Sequence, residues 1–183
     1  MIRVVHIAPA HPDRHSGVIS RSIRSVTTAT AAALTVRAAG SGPIKGYALL
    51  WDSPTDIGDY SEVIRRGALD RSLRENPDVR ALWNHDTGAV IGRTTAGTLR
   101  LSVDDIGLRF EIDLPSSPLG ANVREAVNRG DVTGMSFGFS VAPGGDRWSR
   151  LSSGQRLREL IDINLIEISP VTFPAYKAAS VSA

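Results

Sequence analysis

From Gly40 onward the chain is written in short apolar runs punctuated by glycine and proline, the texture of strands separated by turns. Ile44 to Trp51 predicts a buried strand ended by Ser53-Pro54, and Tyr60 to Ile64 a second short one. Gly67 to Glu75 places Ala68, Leu69, Ser72 and Leu73 at helical spacing before Asn76-Pro77 stops the run. Val79 to Trp83 predicts a strand that leads directly into His85. The strongest hairpin signal follows: Leu99, Leu101 and Val103 alternate with polar residues, Asp104-Asp105 turns, and Leu108, Phe110, Ile112 and Leu114 alternate again.

A helix is predicted next, with Ser117 at the cap, Pro118 at the first helical position, a stripe of Leu119, Val123 and Val127, and Gly130 at the exit. Val132 to Val141 and Leu157 to Ile168 read as long strands, joined through the Gly144-Gly145 and Ser152-Ser153-Gly154 turns. Helices between strands are too few for a parallel αβα sheet. The expected fold is therefore α+β and β-rich: a closed or partly closed antiparallel β-barrel with two or three flanking helices.

Residues 1–39 break this pattern. They are rich in Ser, Thr, Ala and Arg, lack aromatics and sustain neither period, so they read as a flexible leader. Thr27 to Ala39 has the Arg-rich, acid-poor look of a targeting peptide, but its apolar run is mostly alanine interrupted by threonine. The expected organisation is a leader at 1–39, one domain at 40–177, as 183 residues bury a single core, and a flexible small-residue end at 178–183.

Charge and composition narrow the chemistry. Five basic residues against Asp13 make the leader +4, which leaves −2 for the rest of a chain whose net charge is +2. A mildly acidic body offers no electrostatic footprint for nucleic acid. Cysteine is absent, so disulfides and thiolate metal sites are excluded, and one histidine beyond the leader argues against a structural zinc site. No run approaches the ~20 apolar residues of a bilayer-spanning helix. No cofactor is called for.

What remains is a set of unusual strings. Ser136 lies in Thr133-Gly134-Met135-Ser136-Phe137-Gly138-Phe139-Ser140, where flanking glycines would expose its oxygen to a carbonyl substrate. The same pattern describes a strand serine with Phe137 and Phe139 on the opposite face and glycines marking a bulge; Ser140 and Thr133 are competing nucleophiles. His85, in Leu82-Trp83-Asn84-His85-Asp86, is the sole histidine outside the leader and so the only imidazole that such a serine could use as base. Glu167 sits in the aliphatic run Ile163-Asn164-Leu165-Ile166-Glu167-Ile168, where strict alternation would put Leu165 and Glu167 on one face. A carboxylate there must face solvent or find a partner: an imidazolium, or Arg156 or Arg158. Asp86, Asp131 and Asp162 are alternatives for the acidic role.

In these strings the chain resembles the prohead proteases of tailed bacteriophages, serine peptidases related in fold to the herpesvirus assemblins. The resemblance runs from about Gly46 to Tyr176: Gly46-Tyr47-Ala48, Gly67-Ala68-Leu69, Trp83-Asn84-His85-Asp86, Val90-Ile91-Gly92-Arg93, Gly134 to Phe139, and Glu167-Ile168-Ser169-Pro170-Val171 through Pro174-Ala175-Tyr176. It implies an assemblin-like fold, Ser136 as nucleophile, His85 as general base and an acidic residue at Glu167 that orients His85. The assemblins use a second histidine in that third place. Backbone N–H groups near the nucleophile, or an arginine such as Arg93, are candidates for the oxyanion.

The implied function is a serine endopeptidase that cleaves scaffold segments of the major capsid protein, and itself, inside the assembling prohead in the host bacterial cytoplasm. The assemblin kinship suggests a homodimer, with neither nucleic acid nor membrane as partner. The competing reading is a noncatalytic β-barrel acting as a scaffold or capsid assembly module. A small-molecule esterase ranks last, since the alternating strand and helix order that such a fold demands is missing.

Overall fold

The computed structural model describes residues 22–25, 42–173 and 180–182. In chain order the elements are β1 (Ser22–Ser25), β2 (Ile44–Leu50), β3 (Thr55–Asp56), β4 (Tyr60–Ile64), α1 (Asp70–Glu75), β5 (Arg80–Trp83), β6 (Asp86–Arg93), β7 (Leu99–Val103), β8 (Gly107–Ile112), α2 (Pro118–Arg129), β9 (Gly134–Val141), β10 (Asp146–Arg150), β11 (Arg156–Leu160), β12 (Ile163–Val171) and β13 (Ser180–Ser182). Of the expected leader and C-terminal end, only β1 and β13 fall within the described residues; the rest of both lies outside them.

The strands form two sheets. The larger runs β6-β5-β12-β9-β13-β2-β8-β7, with β1 beside β9; the smaller runs β10-β11-β4-β3. The β-rich α+β class matches expectation, but the closed barrel does not. Its end strands β6 and β7 are joined through the turn at Thr94–Thr98, and no ladder between them closes the sheet. Nor is the pairing purely antiparallel, because β5 lies parallel to β12 and β4 parallel to β11. The expected strand Leu157–Ile168 is divided into β11 and β12, each of which contributes one of the parallel pairings. Gly145 O accepts from Ile161 N and Asp162 N at 2.8 and 3.1 Å, and this kink sends β11 into the small sheet and β12 into the large one.

Local sequence explains most elements. Asp104 closes the β7–β8 hairpin by accepting from Ile106 N and Gly107 N at 2.8 and 3.0 Å, an Asx turn. In α2, Pro118 occupies the first turn and Gly130 adopts the left-handed φ of 77° that ends it; Ser117 stands at the cap position without a side-chain capping bond. The helix buries Val123 and Val127 and delivers the chain to β9. α1 begins at Asp70, three residues after the start of the predicted run at Gly67, because Gly67 is left-handed (φ 88°). The core gathers Phe110, Phe137, Phe139, Ile44, Leu49, Ile112 and Met135, all fully buried, with the two phenylalanines of β9 stacked at 5.4 Å.

Candidate active site

Strand β9 sends alternate side chains to opposite faces: Met135, Phe137 and Phe139 to the core, Ser136 and Gly138 to the other side. Its partner β12 is registered so that Ser169 lies opposite Ser136 and Glu167 opposite Gly138. That alignment exists because of a bulge. Leu165 pairs with Phe139 and Glu167 with Gly138, so Ile166 is an extra residue and the alternation reverses across it. Leu165 (1 % exposed) joins the core while Glu167 turns to the face of Ser136, which corrects the expectation that Leu165 and Glu167 share a face. Beside the bulge, the amide of Leu165 makes a buried bond to Ser72 Oγ at 2.9 Å; Ser72 thereby couples α1 to the strand that places Glu167.

His85 arrives from the tight turn between β5 and β6, in which Asn84 and His85 have φ of 51° and 62° between the paired Trp83 and Asp86. A two-residue hairpin loop with both φ values positive is the form that follows strand twist most closely, and Asn suits its first position. Histidine in the second is unusual and strained. Bonds to the end of β12 hold the turn: Asn84 N donates to Pro170 O at 3.1 Å, Thr172 N donates to Asn84 Oδ1 at 2.9 Å, and His85 N donates to Ser169 Oγ at 3.2 Å.

The three side chains singled out from sequence are brought together. Ser136 Oγ lies 2.5 Å from His85 Nε2, and His85 Nδ1 lies 2.7 Å from Glu167 Oε1. An ionised carboxylate only accepts, so Nδ1 carries the proton and Nε2 presents its lone pair to the serine hydroxyl. Ser169, which the sequence reading did not single out, completes the network by donating to Glu167 Oε2 at 2.6 Å. Its position two residues beyond Glu167 on the same strand face was the available signal.

Glu167 and Ser169 are buried, Ser136 is fully so, and the His85 side chain keeps 23 % of its surface exposed. Gly138 has a reason different from the one expected. A Cβ there would stand 2.6 Å from Glu167 Oε1, so the glycine makes room for the carboxylate.

The alternatives fall elsewhere. Asp86 Oδ1 accepts from Gly88 N, Asp131 pairs with Arg129, and Asp162 is held by Arg71 at 2.9 Å. Ser140 Oγ accepts from Asn164 Nδ2 at 3.2 Å, and Thr133 is exposed. Arg158 pairs with Glu62 and Asp146 instead of Glu167. Arg93, an oxyanion candidate, forms a two-bond pair with Asp78 at 2.7 and 2.9 Å on the surface, which holds Asp78 far below the usual carboxylate range.

Among the described residues no group of three or more His, Cys, Asp or Glu side chains gathers to hold a metal, and no helix is long and apolar enough to cross a membrane.

Comparison with known proteins identifies the family of the chain. Over 145 residues the chain is 30% identical to the prohead protease of Enterobacteria phage HK97, covering 78% of this chain and 60% of that protein. It therefore spans less than two thirds of the relative's length. No solved structure matches the chain. The profile of the family described as caudovirus prohead serine protease matches residues 30–183. With the match extending over most of its length, the chain belongs to the caudovirus prohead serine protease family.

Proposed function

We propose that this chain is a serine endopeptidase in which Ser136 is the nucleophile, His85 the general base and Glu167 the group that orients and charge-stabilises His85. The observation that carries the reading is the continuous relay from Ser136 Oγ through His85 to Glu167, with bonds of 2.5 and 2.7 Å. As Ser136 Oγ attacks a peptide carbonyl carbon, His85 Nε2 takes its proton and the imidazolium is stabilised by Glu167 Oε1. The tetrahedral intermediate collapses by breaking the C–N bond, and His85 returns the proton to the leaving amine. Water then attacks the Ser136 ester with His85 again as base, which releases the carboxylate product and restores the serine. Glu167 takes no proton in this scheme; the bond it accepts from Ser169 and its contact with His85 fix the position of its carboxylate.

Family membership and the prohead protease relative support a substrate among the proteins of the immature shell: scaffold segments of the capsid protein, and the chain itself, inside the assembling prohead. An assemblin-like architecture and a homodimer belong to the same reading. Co-expression with the cognate capsid protein tests it. Ser136→Ala and His85→Ala should each lower the processing rate by roughly 10⁴-fold or more while the chain stays folded. Processing at the normal rate by either variant would overturn the assignment and leave a noncatalytic assembly module.

A further inference from the structure

Strand β9 has two edges. One is laddered to β12 from Gly134 to Val141. On the other, β13 reaches only Gly134, and the stretch from Ser136 to Phe139 is paired antiparallel with β1: Ser22 opposite Phe139, Ile23 opposite Gly138, Arg24 opposite Phe137 and Ser25 opposite Ser136. β1 precedes residues 30–183, the part matched by the family. A segment outside the shared region is thus paired to the strand that carries the proposed nucleophile, and that serine is fully buried.

An unpaired strand edge presents a row of N–H and C=O groups and accepts any extended peptide that can add to it. Beside a nucleophile, such an edge also sets the reading frame of cleavage, because an antiparallel strand passes its carbonyls along the serine in fixed steps. The register shows a strand in this position: it enters at Phe139, runs toward Ser136 and comes level with the nucleophile at Ser25.

We propose that the edge of β9 from Ser136 to Phe139 is the docking edge for the peptide to be cut, and that Ser22–Ser25 occupies it as an intramolecular competitor that restrains the enzyme until a substrate strand displaces it. The proposal rests on the protease reading of Ser136. Being joined to the domain, β1 competes at an effective concentration on the order of millimolar. Dilute peptides are therefore excluded, whereas a substrate crowded to a comparable concentration takes the edge. Main-chain pairing supplies the affinity, so recognition along this edge is tolerant of sequence.

The test uses the intact full chain and a double variant, Ile23→Pro with Ser25→Pro, which removes two N–H donors from β1 and leaves β9, His85, Ser136 and Glu167 unchanged. Two readouts are taken: the rate at which a serine-directed phosphonate labels Ser136, located by mass spectrometry, and amide hydrogen exchange across residues 134–141. The expected result is labelling at least about tenfold faster in the variant, with faster exchange in β9. A synthetic peptide of residues 18–29 added to the variant should restore slow labelling and protection. Equal labelling rates and equal exchange in the two proteins overturn the leader proposal while leaving Ser136 as nucleophile. Faster exchange with unchanged labelling overturns the restraint as well, since β1 would then pair without guarding the serine. Labelling absent from Ser136 in both proteins overturns the protease reading, and the restraint with it.

Discussion

Left-handed backbone at a non-glycine residue costs on the order of 1–3 kcal/mol, and this site places two such residues in succession, Asn84 and His85, at the tip of one hairpin. The turn holds because β12 grips it through Pro170, Ser169 and Asn84's own side chain. Ser169 is the residue with two duties: it accepts from His85 N and donates to Glu167 Oε2. Ser169→Ala removes both at once, so His85 and Glu167, the proposed base and the group proposed to orient it, lose their shared anchor. Steady-state kinetics on a scaffold-derived peptide should show kcat down roughly tenfold with KM unchanged, the pattern of a positioning residue. A rise in KM alone would mean that Ser169 serves substrate binding instead. Gly138 yields a sharper prediction. A methyl group there meets Glu167 Oε1 at 2.6 Å, so Gly138→Ala must push the carboxylate away from His85. Activity should fall about 10²-fold, with a stability loss of about 1–2 kcal/mol measured by urea unfolding; activity within twofold of the parent would show that the carboxylate's place is not critical.

Among the elements, β12 does the most positioning, because it presents Ser169 and Glu167 to β9 and is joined to β5, whose turn carries His85. Its bulge at Ile166 decides which face Glu167 uses, and Ser72 of α1 accepts from the adjacent Leu165 amide. The small sheet is held differently, around an ion cluster. Arg158 of β11 bonds Asp146 of β10 at 2.7 Å and Glu62 of β4 at 3.2 Å, and the Glu62 side chain is fully buried. Arg156 and Arg158 both face the ring of Trp148, at 4.2 and 5.6 Å. Taking the cation away from a buried carboxylate is far costlier than the pair is worth. Arg158→Met should therefore lower stability by about 3–5 kcal/mol by chemical denaturation, with the residual activity of the folded fraction preserved, since no residue of the small sheet belongs to the Ser136 network.

For the molecule as a whole, acid weakens a further set of carboxylate bonds. Asp78 is held below the ordinary carboxylate range by its bonds from Arg93, Asp113 by Arg100 and Glu111 by Lys45. At Asp104 burial pulls the other way, yet the bonds from Tyr47 and from the amides of Gly107 and Ile106 keep it low. Each group binds a proton more weakly in the folded chain than in the unfolded one, so its contribution is complete above about pH 4–5 and is lost as pH falls through that range toward the depressed values. The thermal midpoint should drop by more than about 5 °C between pH 6 and pH 3, and less in an Asp78→Asn/Asp113→Asn variant, whose neutral midpoint starts lower. A midpoint flat over that interval would contradict the fold's dependence on these pairs.

Local chemistry was sufficient to write down much of this molecule in advance. The β7–β8 hairpin, α2 with its Pro118 entry and Gly130 exit, β4, and the strands leading to His85 and Ser136 all rest on interactions within a few residues, and the scarcity of histidine singled out His85. What strict alternation could not supply was the bulge at Ile166, the kink at Ile161–Asp162 that splits one apolar run between two sheets, or the open large sheet with its two parallel pairings. Those depend on which strands become neighbours. The meeting of Ser136, His85 and Glu167 belongs to the second kind: residues 82 and 51 positions apart were nameable from their types, but only the pairing of β5 with β12 and β12 with β9 brought an imidazole between an alcohol and a carboxylate. Side-chain period and turn propensity are short-range properties of the backbone, whereas register between distant strands is chosen by the packing of the whole core.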